Sequence, residues 1–449
     1  MRHLLLGLGP ILTLVPQATA QSLDGTWRSE GYGWVFDIHG DSLRAREVTA
    51  VSCLPSFRAH RDSAPAGAVA AFTFDGSATT LQVLRGGSDD RLRLHLEGSA
   101  SDYVIRRGTV PAVCDHETPK DPETIFDVFW QNYAEHYPFF AMKGVNWDSV
   151  RTANRPRASS ANPQELFALL KGMFEPLQDA HTFLLANDVN LRAGGGRADP
   201  EPIGPEGRSR VEEIITTKYL RAPLHKWANG RVAFGYLPDS IGYLRILAFG
   251  GYTAERSYRS MLAALNLALD SIFADTRGWK GLVIDVRING GGADPLGLAI
   301  AARLATEPYT AYAKVARGDP KDPTKLTDPQ PSVVQPSARP GWHGPVVELT
   351  SRYSVSAAET FTQALMGRKP AIARVGENTQ GVFSDVLGRV LPNGWRMGLP
   401  NELFLDAKQK SYDGPGIPPT VPVPTFTKAD LEAGRDPGLE RAMALLHGN

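Results

Sequence analysis

The sequence predicts an α/β core that is preceded by a group of helices and, before them, by a small all-β domain. From about residue 231 apolar strands alternate with helices, as in β-α-β units. Upstream of that point apolar residues recur at helical spacing, and the segment before them contains short strands separated by turn signals. We therefore expect five regions: a signal peptide (1–20), the all-β domain (21–115), a helical subdomain (116–187), a linker (188–230) and the α/β core (231–449).

The all-β domain is predicted from four strand-like runs with alternating or β-branched apolar residues. They are separated by glycine-containing turns at 39–41, 75–77 and 86–90. Such spacing is typical of a small sandwich or barrel. The predicted strands are 34–38, 70–74, 81–84 and 92–96.

The helical subdomain begins at an aspartate followed by proline and glutamate, at 121–123, which is a helix start signal. An aromatic and aliphatic stripe follows, and we interpret it as core. A second helix is predicted over 162–177, and His181 follows it directly. Residues 188–210 are rich in glycine, proline and charge, which is typical of a connection without regular structure.

The α/β core is predicted from a succession of apolar runs. The run 280–287 is almost continuously apolar, which is expected for a strand covered on both sheet faces. The remaining predictions are strands at 242–249, 309–315, 345–349 and 371–375, helices at 253–274, 295–304 and 431–446, and a proline-rich loop at 319–342.

The N-terminus has the pattern of a secretory signal peptide. Arg2 precedes an apolar run, and Ala18-Thr19-Ala20 forms a small-x-small cleavage site. A buried helix is the alternative, but Pro10 and Pro16 interrupt it. No later segment approaches the ~20 apolar residues of a membrane span. We expect export to a periplasmic or extracellular location.

Charge and cysteine content bear on the kind of partner and on the compartment of the protein. The 449 residues include 48 Lys plus Arg and 48 Asp plus Glu, which gives no support to a nucleic acid partner. Cys53 and Cys114 are the two cysteines. In an oxidising compartment a bridge between them would contribute about 4 kcal/mol in the chain-entropy model, and two free buried thiols are the alternative.

Ser356 is the strongest candidate for chemistry. It lies where an apolar strand gives way to a helix, at the strand end where α/β folds place their sites. A helix N-terminus also favours a developing oxyanion. The alternative is structural, because Ser356 and Glu359 have the spacing of a capping box.

Three further features bear on the site. Asn289 is followed by three glycines whose amides can converge on an anion, although a tight turn is the alternative. His181 could accept a proton, while the other histidines lack the spacing of a zinc site. Glu377 and Asp413 lie in turns and are candidate carboxylates.

Five segments, in this order, resemble the tail-specific (C-terminal processing) serine peptidases, and within them the tricorn-like branch. The resemblance covers roughly residues 120–449 and leaves out the all-β domain. It implies a ClpP/crotonase-like peptidase core, an exported serine endopeptidase acting on peptides or proteins, and no cofactor. The segments are 179–182 (DAHT), 285–292 (DVRINGGG), 354–359 (SVSAAE), 376–381 (GENTQG) and 414–419 (GPGIPP).

The resemblance implies a role for each matching residue. Ser356 would be the nucleophile, with the amides of Ala357 and Gly291 as oxyanion donors. The better-known branch has an activating lysine where this chain has Val382, so His181 becomes the implied base. Asp413 would be the acidic member, and Glu377 is the alternative acid.

Two departures from the family leave a second interpretation open. Thr420 stands where the family usually carries aspartate, and the PDZ domain common in the family is missing from the sequence. A catalytically inactive member that binds peptides or apolar ligands is therefore the alternative. A phosphate-binding enzyme built on the glycine loop is a third option, but no P-loop lysine or acidic metal cluster supports it.

Overall fold

The computed structural model describes residues 22–196, 203–255 and 257–448. The predicted signal peptide lies outside these residues. The described chain forms a closed eight-stranded β-barrel, then a helical region, then an α/β core. The predicted fold class is therefore confirmed, and the all-β domain is a barrel rather than a sandwich.

The barrel consists of antiparallel neighbours in sequence order, and its first strand pairs with its last. Side chains fill its interior, among them Trp27, Phe36, Phe72 and Leu94. A small barrel of eight strands is just wide enough for such filling. The strands are β1 (Gly25–Ser29), β2 (Trp34–His39), β3 (Ser42–Val48), β4 (Cys53–Asp62), β5 (Ala70–Phe74), β6 (Thr80–Arg85), β7 (Arg91–Leu96) and β8 (Asp102–Arg107).

The barrel is attached to the rest of the chain by a covalent bond and by buried polar contacts. A disulfide joins Cys53 in β4 to Cys114, just before the helical region. The Tyr32 hydroxyl donates to Glu402 Oε1 at 2.8 Å, and Glu47 Oε2 accepts from Val390 N–H at 2.8 Å. The barrel is thus docked against the α/β core.

The helical region begins where the sequence places its caps. Asp121 accepts a hydrogen bond from Thr124 N–H, and Asn162 forms a capping box with Glu165. The aromatic stripe packs inward with Phe126, Phe129 and others in one apolar cluster, as predicted. The helices are α1 (Pro122–His136), α2 (Phe140–Lys143), α3 (Trp147–Ala158) and α4 (Pro163–Phe174).

Between this region and the main core the chain contains more regular structure than the sequence indicates. A helix occupies part of the segment expected to be a linker, and Val211 and Ile214 of that helix pack in a buried cluster on the core sheet. The elements are β9 (Phe183–Ala186), β10 (Leu191–Gly194), α5 (Pro205–Ile214) and β11 (His225–Trp227).

The strands of the α/β core and the elements that follow complete the described chain. They are β12 (Val232–Leu237), β13 (Ile241–Ile246), α6 (Tyr258–Ile272), β14 (Gly281–Asp285), α7 (Asp294–Ala302), β15 (Tyr309–Asp319), β16 (Asp322–Leu326), β17 (Gln330–Val334), β18 (Val346–Thr350), α8 (Ala357–Met366), β19 (Ala373–Gly376), β20 (Val386–Val390), β21 (Arg396–Pro400), β22 (Glu402–Leu405), β23 (Val421–Pro422), α9 (Lys428–Glu432) and α10 (Pro437–Leu446).

Seven strands form the main sheet in the order β11-β12-β13-β14-β18-β19-β23, parallel from β13 onward. Leu282 and Ile284 of β14 pack on the cluster that contains α6, α7 and α8. Val283 packs on the cluster that contains α10, on the other face. Helices cover both faces, which explains the continuous apolar run of this strand.

Two predictions for this region are wrong. The loop expected over 319–342 contains β16 and β17, which pair with β15 in a smaller sheet that β22 joins. The single helix expected over 431–446 is two helices, α9 and α10. Gly434 has a positive φ of 61°, and Asp436 caps a new helix by accepting from Leu439 N–H. These residues end one helix and start the next. The remaining sheet has the order β10-β9-β21-β20.

A buried ionic cluster holds α10 against the end of β14. Arg287, which is 1% exposed, donates two side-chain hydrogen bonds to Asp285 and two to Asp436. Its guanidinium also lies 4.9 Å from the Phe426 ring centre. The cluster fixes the backbone from which the glycine loop departs.

No helix in the part of the chain that the structure describes combines the length and apolar character needed to cross a membrane.

We expect the replacement Arg287→Met to lower the free energy of unfolding by about 3–5 kcal/mol, because it leaves two buried carboxylates without their counter-charge. Urea denaturation measures this change. Arg277→Met is the matched control, since Arg277 pairs with Asp275 on the surface and should leave the midpoint unchanged. Similar midpoints for the two variants would contradict the assigned role of the cluster.

Candidate active site

Two loops meet at the carboxyl edge of the main sheet. The glycine loop 289–292 follows β14, and Ser356 follows β18, which is the adjacent parallel strand. The carboxyl ends of parallel strands share one edge, so the topology brings the two loops together. Val355 N–H donates to the Asn289 carbonyl at 3.1 Å, which ties the loops directly.

Ser356 has an uncommon backbone conformation. Its φ of 59° and ψ of −124° lie in a region that residues with a Cβ rarely adopt, and α8 begins immediately after it. The neighbouring Ser354 is committed elsewhere, because its buried hydroxyl donates to the Val286 carbonyl at 2.9 Å. Of the two serines in this segment, Ser356 is the one that occupies the strained strand-to-helix turn.

The glycine loop approaches Ser356 closely. A Cβ on Gly291 would lie 2.6 Å from Ser356 Cβ and 3.1 Å from Ser356 Oγ. Gly291 also has a positive φ of 87°. Only glycine fits at this position.

The amides around Ser356 differ in what they bind. Gly291 N–H, predicted as an oxyanion donor, donates to Asn289 Oδ1 at 2.9 Å. Ala357 N–H is the first amide of α8, and the helix offers it no acceptor. Among the residues that the structure describes, neither Ala357 N–H nor Gly292 N–H donates a hydrogen bond. The Ala357 amide is thus available to an anion, while the Gly291 amide is occupied.

Glu359 holds the serine turn to the segment that follows β19. Its carboxylate accepts from Ser356 N–H at 3.2 Å, Gly381 N–H at 2.6 Å and Val382 N–H at 2.8 Å. The first of these bonds is the carboxylate half of the predicted capping box. Glu359 N–H also faces the Ser356 side chain, so both halves of the predicted capping box are present, and it donates to the Ser356 carbonyl at 2.7 Å. Burial raises the pKa of Glu359 to about 7, although the hydrogen bonds it accepts counteract this.

His181 lies against the same segment as Ser356. Ser356 N–H donates to the Val382 carbonyl at 3.1 Å, and the backbone of Ser384 faces the His181 ring. Burial lowers the pKa of His181, while the charges of Asp179 and Asp385 partly offset this. Its Nδ1 atom is buried and has no hydrogen-bond partner in the described part of the chain.

The two candidate acids bind other groups. Asp413 accepts from Phe383 N–H at 3.2 Å and from the Ser411 hydroxyl at 2.7 Å. Burial raises its pKa to about 7, and those two hydrogen bonds lower it only in part. Glu377 pairs with Arg352 at 3.1 Å and accepts from Thr425 N–H at 3.0 Å. In the described chain neither carboxylate is hydrogen-bonded to His181.

Sequence reasoning gave no role to the carboxylates that face His181. Asp179 belongs to the same short motif, and its Oδ1 atom accepts from His181 N–H at 3.1 Å. The motif DAHT was therefore a usable signal for Asp179. Asp385 follows the Ser384 backbone, and no pattern in the sequence marks it.

A buried lysine lies behind Asp385. Lys314 is 2% exposed and forms ion pairs with Asp385 and with Glu402. Burial alone would lower the pKa of Lys314, but the charges of Asp385, Glu402 and Asp294 raise it well above its ordinary value. Because Lys314 comes from β15, distant in sequence, only the folded chain brings it here. Within the described residues no group of three or more His, Cys, Asp or Glu side chains is arranged to hold a metal ion.

Comparison with known proteins agrees with this geometry. Residues 240–423, which contain Ser356 and the glycine loop, match the family described as Peptidase family S41. The core is an S41 peptidase domain. Residues 118–175 match the Tricorn protease C1 domain, which covers the helices just before His181. These two matches confirm the predicted serine peptidase family for the core and the tricorn likeness for the preceding helices.

Solved structures share the fold over most of the chain. A proposed peptidase from Parabacteroides merdae is 27% identical, covers 73% of this chain and 97% of its own, and superposes with a TM-score of 0.61. Mature CPAF complexed with lactacystin is 12% identical, covers 73% of this chain and 97% of its own, and has a TM-score of 0.51, which shows a shared fold. No curated protein sequence matches the chain significantly.

The conformation of Ser356 in the S41 core predicts an unusual stability pattern. Ser356→Gly should have a free energy of unfolding about 1 kcal/mol higher than Ser356→Ala, because glycine relieves the strain that alanine retains. Urea denaturation of the two variants measures the difference.

Ser149 in α3 supplies the control for this comparison. It is an exposed helical residue, so Ser149→Gly should be about 1 kcal/mol less stable than Ser149→Ala, the opposite sign. If the alanine variant is the more stable one at both positions, Ser356 is not strained.

Proposed function

We propose that this S41 protein is an exported serine endopeptidase that cleaves peptide bonds through an acyl-enzyme on Ser356. The observation that carries the proposal is the strained Ser356 turn, with an unoccupied Ala357 amide beside it and the glycine loop packed against its Cβ. Strain of about 1–3 kcal/mol persists only where the surrounding structure enforces it, and it clusters at active sites.

His181 is the general base in this proposal. Its lowered pKa keeps the imidazole neutral near pH 7, so it can accept the hydroxyl proton as Ser356 attacks the carbonyl carbon. The same imidazolium then protonates the leaving amine. Water later attacks the acyl-enzyme, its proton goes to His181, and Ser356 leaves with a proton from His181.

Lysine chemistry is not supported at either possible position. Val382 has no amine, and it stands where the lysine-dependent branch has its base. Lys314 is held in its protonated form by ion pairs with Asp385 and Glu402, so it has no lone pair to accept a proton. These facts favour the tricorn-like arrangement, in which a histidine is the base.

The oxyanion of the tetrahedral intermediate would face Ala357 N–H and the glycine loop. Ala357 contributes an unoccupied amide at a helix N-terminus, where negative charge is favoured. Gly291 can contribute only if its amide releases Asn289 Oδ1. Gly292 N–H has no acceptor among the described residues, so it is the alternative second donor.

Asp413 is the proposed acidic member, and it acts as a positioning residue. Its Oδ1 atom accepts from Phe383 N–H, and the next residue, Ser384, is the one whose backbone faces His181. Asp413 thereby fixes the peptide against which the imidazole lies. Glu377 has a weaker claim because it is paired with Arg352.

The cellular location follows from two features. The N-terminal sequence has the signal-peptide pattern, and Cys53 and Cys114 are joined in a disulfide. Disulfides of this kind persist in oxidising compartments. We propose a periplasmic or extracellular protein whose partners are peptide or protein substrates.

A non-catalytic peptide-binding protein is the second candidate function. It is favoured by the absence of an acidic hydrogen-bond partner on His181 Nδ1 in the described chain. A catalytic triad normally holds its imidazole through that contact.

Labelling with a fluorophosphonate distinguishes the two functions. The native protein should form one covalent adduct, Ser356→Ala should form none, and His181→Asn should label about 10²–10⁴ times more slowly. Intact-protein mass spectrometry measures the adduct. Ser354→Ala is the matched control and should still label at Ser356. Persistent labelling of Ser356→Ala, or no labelling of the native protein, would overturn the proposal.

The raised pKa of Asp413 predicts a pH dependence. The carboxylate form of Asp413 is populated above its pKa of about 7, whereas His181 is already neutral there because its pKa is lowered. The rate of fluorophosphonate labelling should therefore rise as the pH rises through about 7.

The variant Asp413→Asn tests which group controls this rise. It should label more slowly than the native protein, and its remaining dependence should move to the lower pH at which His181 titrates. Glu377→Gln is the control and should keep the rise near pH 7. An unchanged profile in Asp413→Asn would remove Asp413 from the mechanism.

A further inference from the structure

A cavity of about 560 Å³ lies directly beside the glycine loop. Gly290, Gly291 and Gly292 form one of its walls, and Gly291 is also the residue packed on Ser356. The cavity thus shares a wall with the proposed active site. Its volume is in the range of ordinary ligand pockets.

Three arginines line this cavity, and each has donors that no acceptor in the described chain uses. Arg231 is exposed, and its side chain makes no hydrogen bond or ion pair with the chain as the structure describes it. Within the described residues the Arg208 side chain donates one hydrogen bond, to the Ile203 carbonyl at 3.3 Å. A guanidinium has five donors, so both can bind a further acceptor.

Arg245 is the third arginine, and it is buried. It is 6% exposed and reaches Glu212 at 3.2 Å, yet its Nε atom has no hydrogen-bond partner in the described chain. An unsatisfied buried donor on a charged group costs free energy unless a ligand or solvent binds it. Arg245 lines the cavity, and its guanidinium has donors beyond the one that reaches Glu212.

The two acidic residues of the cavity are already neutralised. Glu212 accepts from Lys226 at 2.7 Å as well as contacting Arg245. Asp285 is bound by Arg287 and by the Tyr243 hydroxyl. The uncompensated charge of the cavity is therefore positive.

Apart from Ser209, the other side chains of the lining are apolar and include Val211, Ile215, Leu247 and Phe426. A small inorganic anion would gain nothing from these side chains. A peptide residue that has both hydrocarbon and a carboxylate would bury its hydrocarbon against the apolar side chains and pair its carboxylate with the arginines.

We propose that this cavity, which we call the arginine pocket, is a substrate subsite that binds a peptide carboxylate next to the scissile bond. Arg231 and Arg245 supply the charge-assisted donors, and the glycine loop places the bound residue beside Ser356. The carboxylate is either the C-terminus of the substrate or an acidic side chain. This proposal rests on the proposed peptidase function, because the bound peptide is a substrate only if the protein cleaves it. Binding of the carboxylate does not itself require catalysis.

The experiment measures binding to the full mature chain carrying Ser356→Ala, by fluorescence anisotropy. Four fluorescein-labelled hexapeptides of alanine and leucine serve as probes. They contain either Glu or Gln at one position, and they end in either a carboxylate or an amide. Peptides with the recognised carboxylate should bind about ten- to hundredfold more tightly than the peptide with none, and added salt should weaken that binding.

Variants locate the effect. Arg231→Met and Arg245→Met, each added to Ser356→Ala, should abolish the preference for the carboxylate peptide. Arg277→Met is the control, because Arg277 lies outside the pocket and is paired with Asp275. Circular dichroism shows whether Arg245→Met is folded, and the exposed Arg231 tests the proposal independently of that result.

Each outcome has one meaning. Preference for the carboxylate terminus identifies the substrate C-terminus as the ligand, and preference for Glu identifies an acidic side chain. Equal binding of all four peptides overturns the arginine pocket, as does a preference that survives in Arg231→Met. If the preference is present but the native protein cleaves none of the peptides and does not label, the proposed peptidase function fails while the binding site stands.

Discussion

The buried carboxylate of Glu359 is the contact on which the arrangement of the site depends. It accepts backbone hydrogen bonds from Ser356, Gly381 and Val382, so one side chain joins the start of α8 to the segment that follows β19. That segment continues through Phe383, which is bound by Asp413, to Ser384, which faces His181. Without the carboxylate, the buried N–H groups of Gly381 and Val382 and the half-buried N–H of Ser356 would lose an acceptor, and the serine and histidine segments would lose their common anchor.

Burial around this anchor works in two directions. It raises the pKa values of Glu359 and Asp413 to about 7, because a carboxylate away from water is costly. It lowers the pKa of His181 for the same reason, since a buried imidazolium is also costly. Glu359 and Asp413 accept from the amides of residues 381–383, and the backbone of the next residue, Ser384, faces the neutral imidazole. Lys314 differs from His181 because three carboxylates surround it, and their charges keep it protonated despite its burial.

The barrel and the arginine pocket lie on different parts of this core. The barrel contacts it through Tyr32 and Glu402, and Glu402 in turn pairs with Lys314 behind His181. Side chains fill the barrel interior, and the barrel contacts the core through its outer surface. The arginine pocket lies at the glycine loop and is lined partly by α5, from the segment that the sequence indicated as a linker. Composition alone missed this helix, because its exposed face is polar and only Val211 and Ile214 face the core.

The sequence by itself determined the local features of this protein. Apolar runs predicted β13, β14, β18 and β19 of the main sheet, and start signals predicted α1 and α4. Five short motifs indicated the family and marked Ser356, His181 and the glycine loop as candidates. It failed where contacts join distant segments. The pairing of β16 and β17 with β15, the bond from Gly291 N–H to Asn289, and the placement of Asp385 and Lys314 near His181 all depend on which elements become neighbours. Local propensity and periodicity predict the helix or strand to which a residue belongs. Its hydrogen-bond partners, burial and pKa depend on residues from other segments, which only the tertiary structure brings together.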